Sequence, residues 1–270
     1  MSASSSAPPP VAPSARAVPP LPLRTHALMF MRLLAIQGSW NYETLIGTGT
    51  AYCIEPALRL LPGGVQGDAY RAALGRQSQY FNAHPYLAAV AVGALARAEL
   101  DGESPKQIER YRRALCSPLG SLGDRLVWAS WLPSCSIVAL ALFALGAGPL
   151  VTVGGFLLLY NAGHIWLRLW GLRAGWRDGL RVAPALGIPV LQQGPQLISR
   201  AGAAIGAFML PLIFHRIAEP HGVGDVSLGV ALAVIILGAT LLVRMQGRLE
   251  GWKAGLIALG LVALYSTVRS

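Results

Sequence analysis

Residues 126–167 read LVWASWLPSCSIVALALFALGAGPLVTVGGFLLLYNAGHIWL, and none of these 42 residues is Asp, Glu, Lys or Arg. A helix needs about 20 such residues to cross a bilayer, so the stretch is long enough for two spans. Gly146, Gly148 and Pro149 stand near its middle and favour a turn. We therefore predict two transmembrane helices joined by a tight connection.

The rest of the chain also has the composition of a membrane protein. Its 270 residues are 54% hydrophobic and 13% charged, with a mean hydropathy of +0.50, above the balance of soluble domains. Residues 201–214, 226–243 and 254–268 are predicted to be further spans. The net charge of +10 comes from basic clusters between apolar segments, which the positive-inside rule places in the cytoplasm. A nucleic-acid binder would instead interleave basic and aromatic residues on a polar surface.

Several apolar segments are too irregular or too short for simple spans. Glycines interrupt residues 33–54, three prolines interrupt residues 182–199, and the apolar run 86–96 fits a re-entrant or buried helix. Residues 97–125 are interpreted as a charged cytoplasmic linker. We predict an all-α integral membrane protein, a multi-span helical bundle with broken or re-entrant helical hairpins. It occupies residues 24–270, after a disordered Pro/Ala/Ser-rich tail at residues 1–23.

The first polar motif, QGSWNYE at residues 37–43, lies inside an interrupted apolar segment. Its Gly38-Ser39 pair allows a helix to break. The amides and the carboxylate beside it could bond the hydroxyls of a sugar while Trp40 or Tyr42 stacks on its apolar face. They could equally bond neighbouring helices or cap the break. Both interpretations stay open, because polar groups at membrane depth are functional candidates by default.

The second motif, YFNAHP at residues 80–85, should end a helix, because a proline pushes the preceding residue away from helical angles. His84 could accept a phosphoryl group, contact a ligand or act as a cap. The third motif, SPLGSLGD at residues 117–124, lacks the Gly-Lys-Ser/Thr ending of a phosphate loop. We interpret Gly120, Gly123 and Asp124 as a hinge at the mouth of a membrane hairpin, with Asp124 capping the following helix.

A fourth group of polar residues ends the second predicted span. It contains Asn161 and His164, and we expect Arg168 and Arg173 to extend from the helix to the aqueous interface. Cys53, Cys116 and Cys135 are an odd number without metal-ligand spacing, so neither a disulfide framework nor a zinc site is predicted. We expect no metal, no cofactor and no catalytic set.

Together and in this order, the three motifs resemble the IID subunit of the mannose/fructose/sorbose family of bacterial phosphotransferase systems. The similarity lies in QGSWNYE, in FNAHP, and in the PLGSLGD segment followed by Trp128. It extends from about residue 24 to the C-terminus.

The resemblance implies a subunit that is not itself phosphorylated. It would be a multi-pass protein of the bacterial inner membrane with its N-terminal tail in the cytoplasm. It would pair with a IIC membrane subunit, in trimers of IIC–IID heterodimers, to translocate a hexose-type sugar. Cytoplasmic IIA and IIB carriers would phosphorylate that sugar. The substrate-pathway candidates are Gln37, Trp40, Asn41, Glu43, Asn82 and His84.

Two other functions remain open from the sequence. The chain could be a diverged, non-transporting membrane scaffold or sensor related to that subunit. It could also be a membrane enzyme that uses His84 or Asp124, although neither motif contains a second catalytic group.

Overall fold

The structure, a computed structural model, describes residues 20–218, and within this range the chain is helical with no strands. The helices are α1 Leu23–Leu33, α2 Gly47–Leu58, α3 Asp68–Gln77, α4 Ala88–Leu100, α5 Pro105–Gly123, α6 Leu132–Ala144, α7 Pro149–Asp178, α8 Ala183–Leu186, α9 Pro189–Gln192 and α10 Gly194–Ala218. Residues 1–19, which hold most of the predicted tail, and the predicted spans at 226–243 and 254–268 lie outside the described residues.

The two spans predicted from the uncharged stretch are present. Pro105–Ala144 and Pro149–Arg181 are long and apolar enough to cross a membrane. Between them Gly146 adopts a φ of 88°, a left-handed conformation that glycine takes without steric strain. The predicted turn is therefore confirmed.

The start of the first span differs from the prediction. Helix α5 begins at Pro105, after the N-cap Ser104, and a π-helical segment at Asp124–Trp131 joins it to α6. Most of the predicted linker 97–125 is therefore helix. The prediction that Asp124 is an N-cap is wrong: it has helical backbone angles (φ −61°, ψ −44°) and its own N–H donates to the Gly120 and Ser121 carbonyls, so the helical backbone continues through it.

The chain forms two compact units. The first contains residues up to Trp131 together with Asn161–Gln196, and the second contains Leu132–Tyr160 and the chain from Leu197 onward. In the second unit α6 packs on α10, where the Ser134 hydroxyl donates to the Ile198 carbonyl over 3.2 Å. Many apolar side chains of this unit are exposed, as a lipid-facing surface requires. Examples are Leu140, Phe143, Leu150, Val153 and Leu158.

The interrupted segments are confirmed as breaks in the first unit. Residues 34–46 form turns between α1 and α2, and Gly49 lies so close to this segment that an added Cβ would be 1.8 Å from the Ile36 carbonyl oxygen. A second break follows α7, where a 3-10 turn at Gly179–Arg181 and two four-residue helices precede α10.

Helix α4, predicted as either a re-entrant or a buried helix, is buried along almost its entire length. It crosses α7 closely because both helices have glycine at the contact. A Cβ added to Gly93 would lie 2.4 Å from the Leu172 carbonyl oxygen, and one added to Gly175 would lie 2.1 Å from the Val90 carbonyl oxygen. Small residues of this kind allow helix backbones to approach in membrane proteins.

The α4–α7 crossing gives a stability prediction. We expect Gly175→Ala to lower the free energy of unfolding by about 1 to 3 kcal/mol, because the methyl group overpacks the contact with Val90. Thermal unfolding of the detergent-purified protein would measure the change. Gly154→Ala on the same helix is the control, because nothing lies within 4 Å of its added Cβ. Equal melting temperatures for the two variants would contradict the assigned packing.

Candidate functional site

The loop between α3 and α4 brings the first two sequence motifs together. Leu45 forms a parallel bridge with Phe81. The Phe81 N–H donates to the Thr44 carbonyl over 3.1 Å, and the Ile46 N–H donates to the Phe81 carbonyl over 3.1 Å. The QGSWNYE motif is therefore attached, through the residues directly after it, to the first residue of FNAHP.

The third motif packs against the same loop. A Cβ added to Gly123 would lie 2.1 Å from the His84 Cβ, so only glycine allows α5 to approach this closely. The Trp128 ring centroid lies 5.1 Å from that of His84. All three motifs thus meet around Phe81–Pro85, although they are far apart in sequence.

A cavity of about 510 Å³ lies between this loop and α5. Its walls carry hydroxyl, amide, imidazole, thiol and carboxylate groups, which suits a neutral polar molecule with several hydrogen-bonding groups. The lining residues are Tyr80, Asn82, Ala83, His84, Pro85, Cys116, Ser117, Gly120, Ser121 and Asp124. Among residues 20–218 no three metal-ligating side chains come together.

His84 is the most constrained polar group of the cavity wall. It is 3% exposed, and its Nδ1 accepts the Tyr86 backbone N–H over 3.2 Å. The neutral ring therefore carries its proton on Nε2, which is buried and has no partner among the described residues. Burial, and next the charge of Arg168, lower the pKa of His84 to about 4, so the ring is neutral at physiological pH.

The first motif supplies no lining residue of the cavity, and Gln37, Trp40, Asn41 and Glu43 are exposed. The Asn41 side chain builds its own turn. Its oxygen accepts the backbone N–H groups of Glu43 and Thr44, and its nitrogen donates to the Ser39 carbonyl and the Thr44 hydroxyl. These bonds stabilise a turn within the break between α1 and α2, and a role of the motif in the substrate pathway stays a prediction.

The two glycines of the third motif have different surroundings. Gly123 contacts His84, whereas a Cβ added to Gly120 would meet nothing within 4 Å, because Gly120 lines the cavity. The π-helical segment begins at Asp124, directly after Gly123, so the helical hydrogen-bonding pattern changes at the position predicted as a hinge. The hinge itself stays a prediction.

The prediction that Arg168 extends to the interface is wrong, whereas Arg173 is exposed. Arg168 is 4% exposed, and its Nε donates to the Leu33 carbonyl over 3.2 Å. Its guanidinium lies 4.1 Å from the centroid of the Tyr86 ring. It also donates to His164 Nδ1 over 2.8 Å. Arg168 thus contacts both the end of α1 and the end of the loop that carries the second motif.

Arg112 is a second buried cation, and the sequence motifs do not include it. One of its terminal nitrogens donates to the Tyr80 carbonyl over 2.8 Å, and the other donates to the carbonyls of Gln77, over 2.9 Å, and Gln79. Its guanidinium also lies 5.1 Å from the centroid of the Phe81 ring. The sequence signal that separates it from the exposed Arg110 and Arg113 is its helical spacing, four residues after Ile108 and three before Leu115.

Comparison with known proteins identifies the family. The model of the phosphotransferase system mannose/fructose/sorbose family IID component matches residues 21–214. The chain belongs to this family. As a IID component it is a membrane subunit of a sugar phosphotransferase transport system, as the three motifs predicted.

Curated relatives and solved structures agree with this assignment. The IID component is 29% identical over 242 residues to the fructose permease IID component of Bacillus subtilis, covering 82% of this chain and 86% of the relative. It is 29% identical to the sorbose-specific EIID component of Klebsiella pneumoniae, covering 87% and 84%. A chain from the structure of the mannose transporter ManYZ with microcin E492 has the same fold, with a TM-score of 0.55 and 21% identity over 92% of this chain and 97% of that one.

The state of His84 gives a pH prediction. In the folded protein its pKa lies below the unfolded value of 6.5, so between these values the unfolded chain binds a proton that the folded chain does not. Stability attributable to His84 is complete above pH 6.5 and is lost as the pH falls towards 4. Between pH 7 and 5 we expect a loss of about 2 kcal/mol.

The measurement is the melting temperature of the purified protein at several pH values, with His84→Asn as the reference. The Asn amide oxygen can accept the Tyr86 N–H but does not titrate. Other titrating groups contribute to both proteins, so the difference between the two curves isolates His84. Parallel curves would show that His84 is not held in its neutral form.

Proposed function

We propose that this IID component pairs with a IIC membrane subunit to translocate a hexose-type sugar, which cytoplasmic IIA and IIB carriers phosphorylate. We further propose that it resides in the bacterial inner membrane with a cytoplasmic N-terminal tail, in trimers of IIC–IID heterodimers. The meeting of the second and third motifs at one polar cavity carries the sugar proposal. The family, and the sugar-specific names of the relatives, support it.

The chemistry of the cavity suits a sugar. His84 forms part of the cavity wall, and its Nε2–H is a buried donor without an acceptor among the described residues, so the other lining groups would bond the sugar hydroxyls. Asn82 offers both a donor and an acceptor, and Asp124 accepts from hydroxyls. A neutral imidazole favours an uncharged ligand. Because the Nε2 atom is buried, it is also poorly placed to attack a phosphoryl donor, which supports a non-catalytic role.

The other predicted residues form two groups, one in the first motif and one at the end of α5. The four exposed candidates of the first motif lie in or beside the turn that the Asn41 side chain stabilises, and we propose that they contact the sugar outside the cavity: Gln37, Trp40, Asn41 and Glu43. Gly120, Gly123 and Asp124 are proposed to form the hinge, which the start of the π-helical segment at Asp124 supports.

Cys116 provides a direct test of occupancy, because it lines the cavity and is partly exposed, while Cys53 and Cys135 are buried. The complex with IIC, in membrane vesicles, is treated with a methanethiosulfonate reagent in the presence of mannose, fructose or sorbose. With the matching sugar at ten times its Kd, we expect labelling of Cys116 to slow about tenfold. Cys116→Ser should remove the signal. Unchanged labelling in every sugar that the complex transports would contradict the cavity as the sugar site.

Filling the cavity tests transport itself. We expect Gly120→Leu to abolish uptake of labelled sugar while the IIC–IID complex still assembles, because the new side chain extends into open space rather than into the fold. Gly120→Ala is the matched variant of smaller volume and should retain more uptake. Normal uptake by Gly120→Leu would place the sugar path elsewhere. If the wild-type complex assembles but transports no sugar, the chain is a scaffold or sensor.

A further inference from the structure

The loop at residues 78–87 is held from two sides. Residues 44–46 hold it at Phe81 through two backbone hydrogen bonds. Arg112 holds it through the carbonyl oxygens of Gln79 and Tyr80, and it also bonds the carbonyl of Gln77 directly before the loop. Between these attachments and the start of α4 lie Asn82 and His84, which line the cavity.

An arginine suits this position for a physical reason. The last carbonyls of a helix have no intrahelical donor, and α3 ends at Gln77. The planar guanidinium carries five N–H donors in fixed directions, so one side chain can bond several carbonyls that point towards it. A lysine has a single nitrogen and cannot span the same set.

The neighbouring contacts fix the end of α3 independently. Glu99 of α4 accepts hydrogen bonds from Arg76, over 3.0 and 2.7 Å, and from the Gln77 side chain, over 2.7 Å. The helix end therefore stays attached to α4 without Arg112. What depends on Arg112 is the path of the backbone from Gln77 to Tyr80.

We propose that Arg112 is a positioning residue for sugar binding: it sets the placement of Asn82 and His84 in the cavity by fixing the backbone before them, and it does not touch the sugar. This inference rests on the proposed function. Arg112 is absent from the cavity lining, so its effect must pass through the loop.

The test uses Arg112→Met and Arg112→Lys in the complex with IIC, with Arg113→Met as the matched control, since Arg113 is adjacent and exposed. In both Arg112 variants we expect the KM for sugar uptake to rise roughly tenfold, while Vmax per assembled complex changes less than about twofold, because binding groups are displaced and the transport machinery remains. In Arg112→Lys, which keeps a positive charge near the Cys116 thiol, we also expect the labelling rate of Cys116 without sugar to change, because the opposite wall of its cavity has moved.

Two results would overturn the role of Arg112 as a positioning residue. Wild-type KM and wild-type labelling in an assembled Arg112→Lys or Arg112→Met complex would overturn the proposal. A loss of uptake that only follows the amount of assembled complex, with KM unchanged, would also overturn it, since Arg112 would then be purely structural. If Arg112→Met does not assemble, Arg112→Lys decides, because it retains the charge and most of the volume. Failure of the sugar proposal appears separately, as wild-type Cys116 labelling that no transported sugar slows.

Discussion

A helix that ends inside a protein leaves carbonyl oxygens without donors, and the functional loops of this chain begin at two such ends. Helix α1 ends at Leu33 and α3 ends at Gln77. In each case a buried arginine from a later helix supplies the donors: Arg168 bonds the carbonyl of Leu33, and Arg112 bonds three carbonyls at the end of α3. Arginine stays protonated even when buried, so these donors are always present. The two side chains therefore help to hold the breaks that create the motif loops, together with backbone donors of the following turns, such as the Ile36 N–H on the Leu33 carbonyl.

The features that were predicted correctly depend on properties of the residues at those positions, not on distant contacts. An uncharged stretch long enough for two membrane helices has to be buried in lipid or in protein. Glycine and proline, here Gly146 and Pro149, favour a turn whatever their distant contacts are. Prolines 184, 189 and 195 are each accepted in the first turn of a helix but not in its interior, and they stand at the starts of α8, α9 and α10. Pro85 acts on the residue directly before it. The two spans, the turn, the broken segment and the loop before α4 could therefore be predicted from local properties.

The features that were missed depend on partners remote in sequence. Arg168 lies 135 positions from Leu33, and Arg112 lies 35 from Gln77. A sequence shows that such residues are charged, but it does not show which backbone carbonyls lie within reach of them. Their charge alone therefore led to the prediction that they face water. The same reasoning placed a linker before Arg125, where the structure continues a helix. Its buried face carries Ile108, Arg112, Leu115, Leu119 and Leu122, and the many charges of the segment led to its interpretation as a linker.

The three motifs identify the family because they form one structural unit. Thr44 and Ile46 bond the backbone of Phe81, and Gly123 leaves room for His84. A change in one motif therefore disturbs the backbone of another. The groups that face the cavity are under a different constraint: Asn82, Ser117 and Ser121 line it without holding the loop. The backbone contacts therefore fix the position of the cavity, whereas the lining side chains set its chemistry.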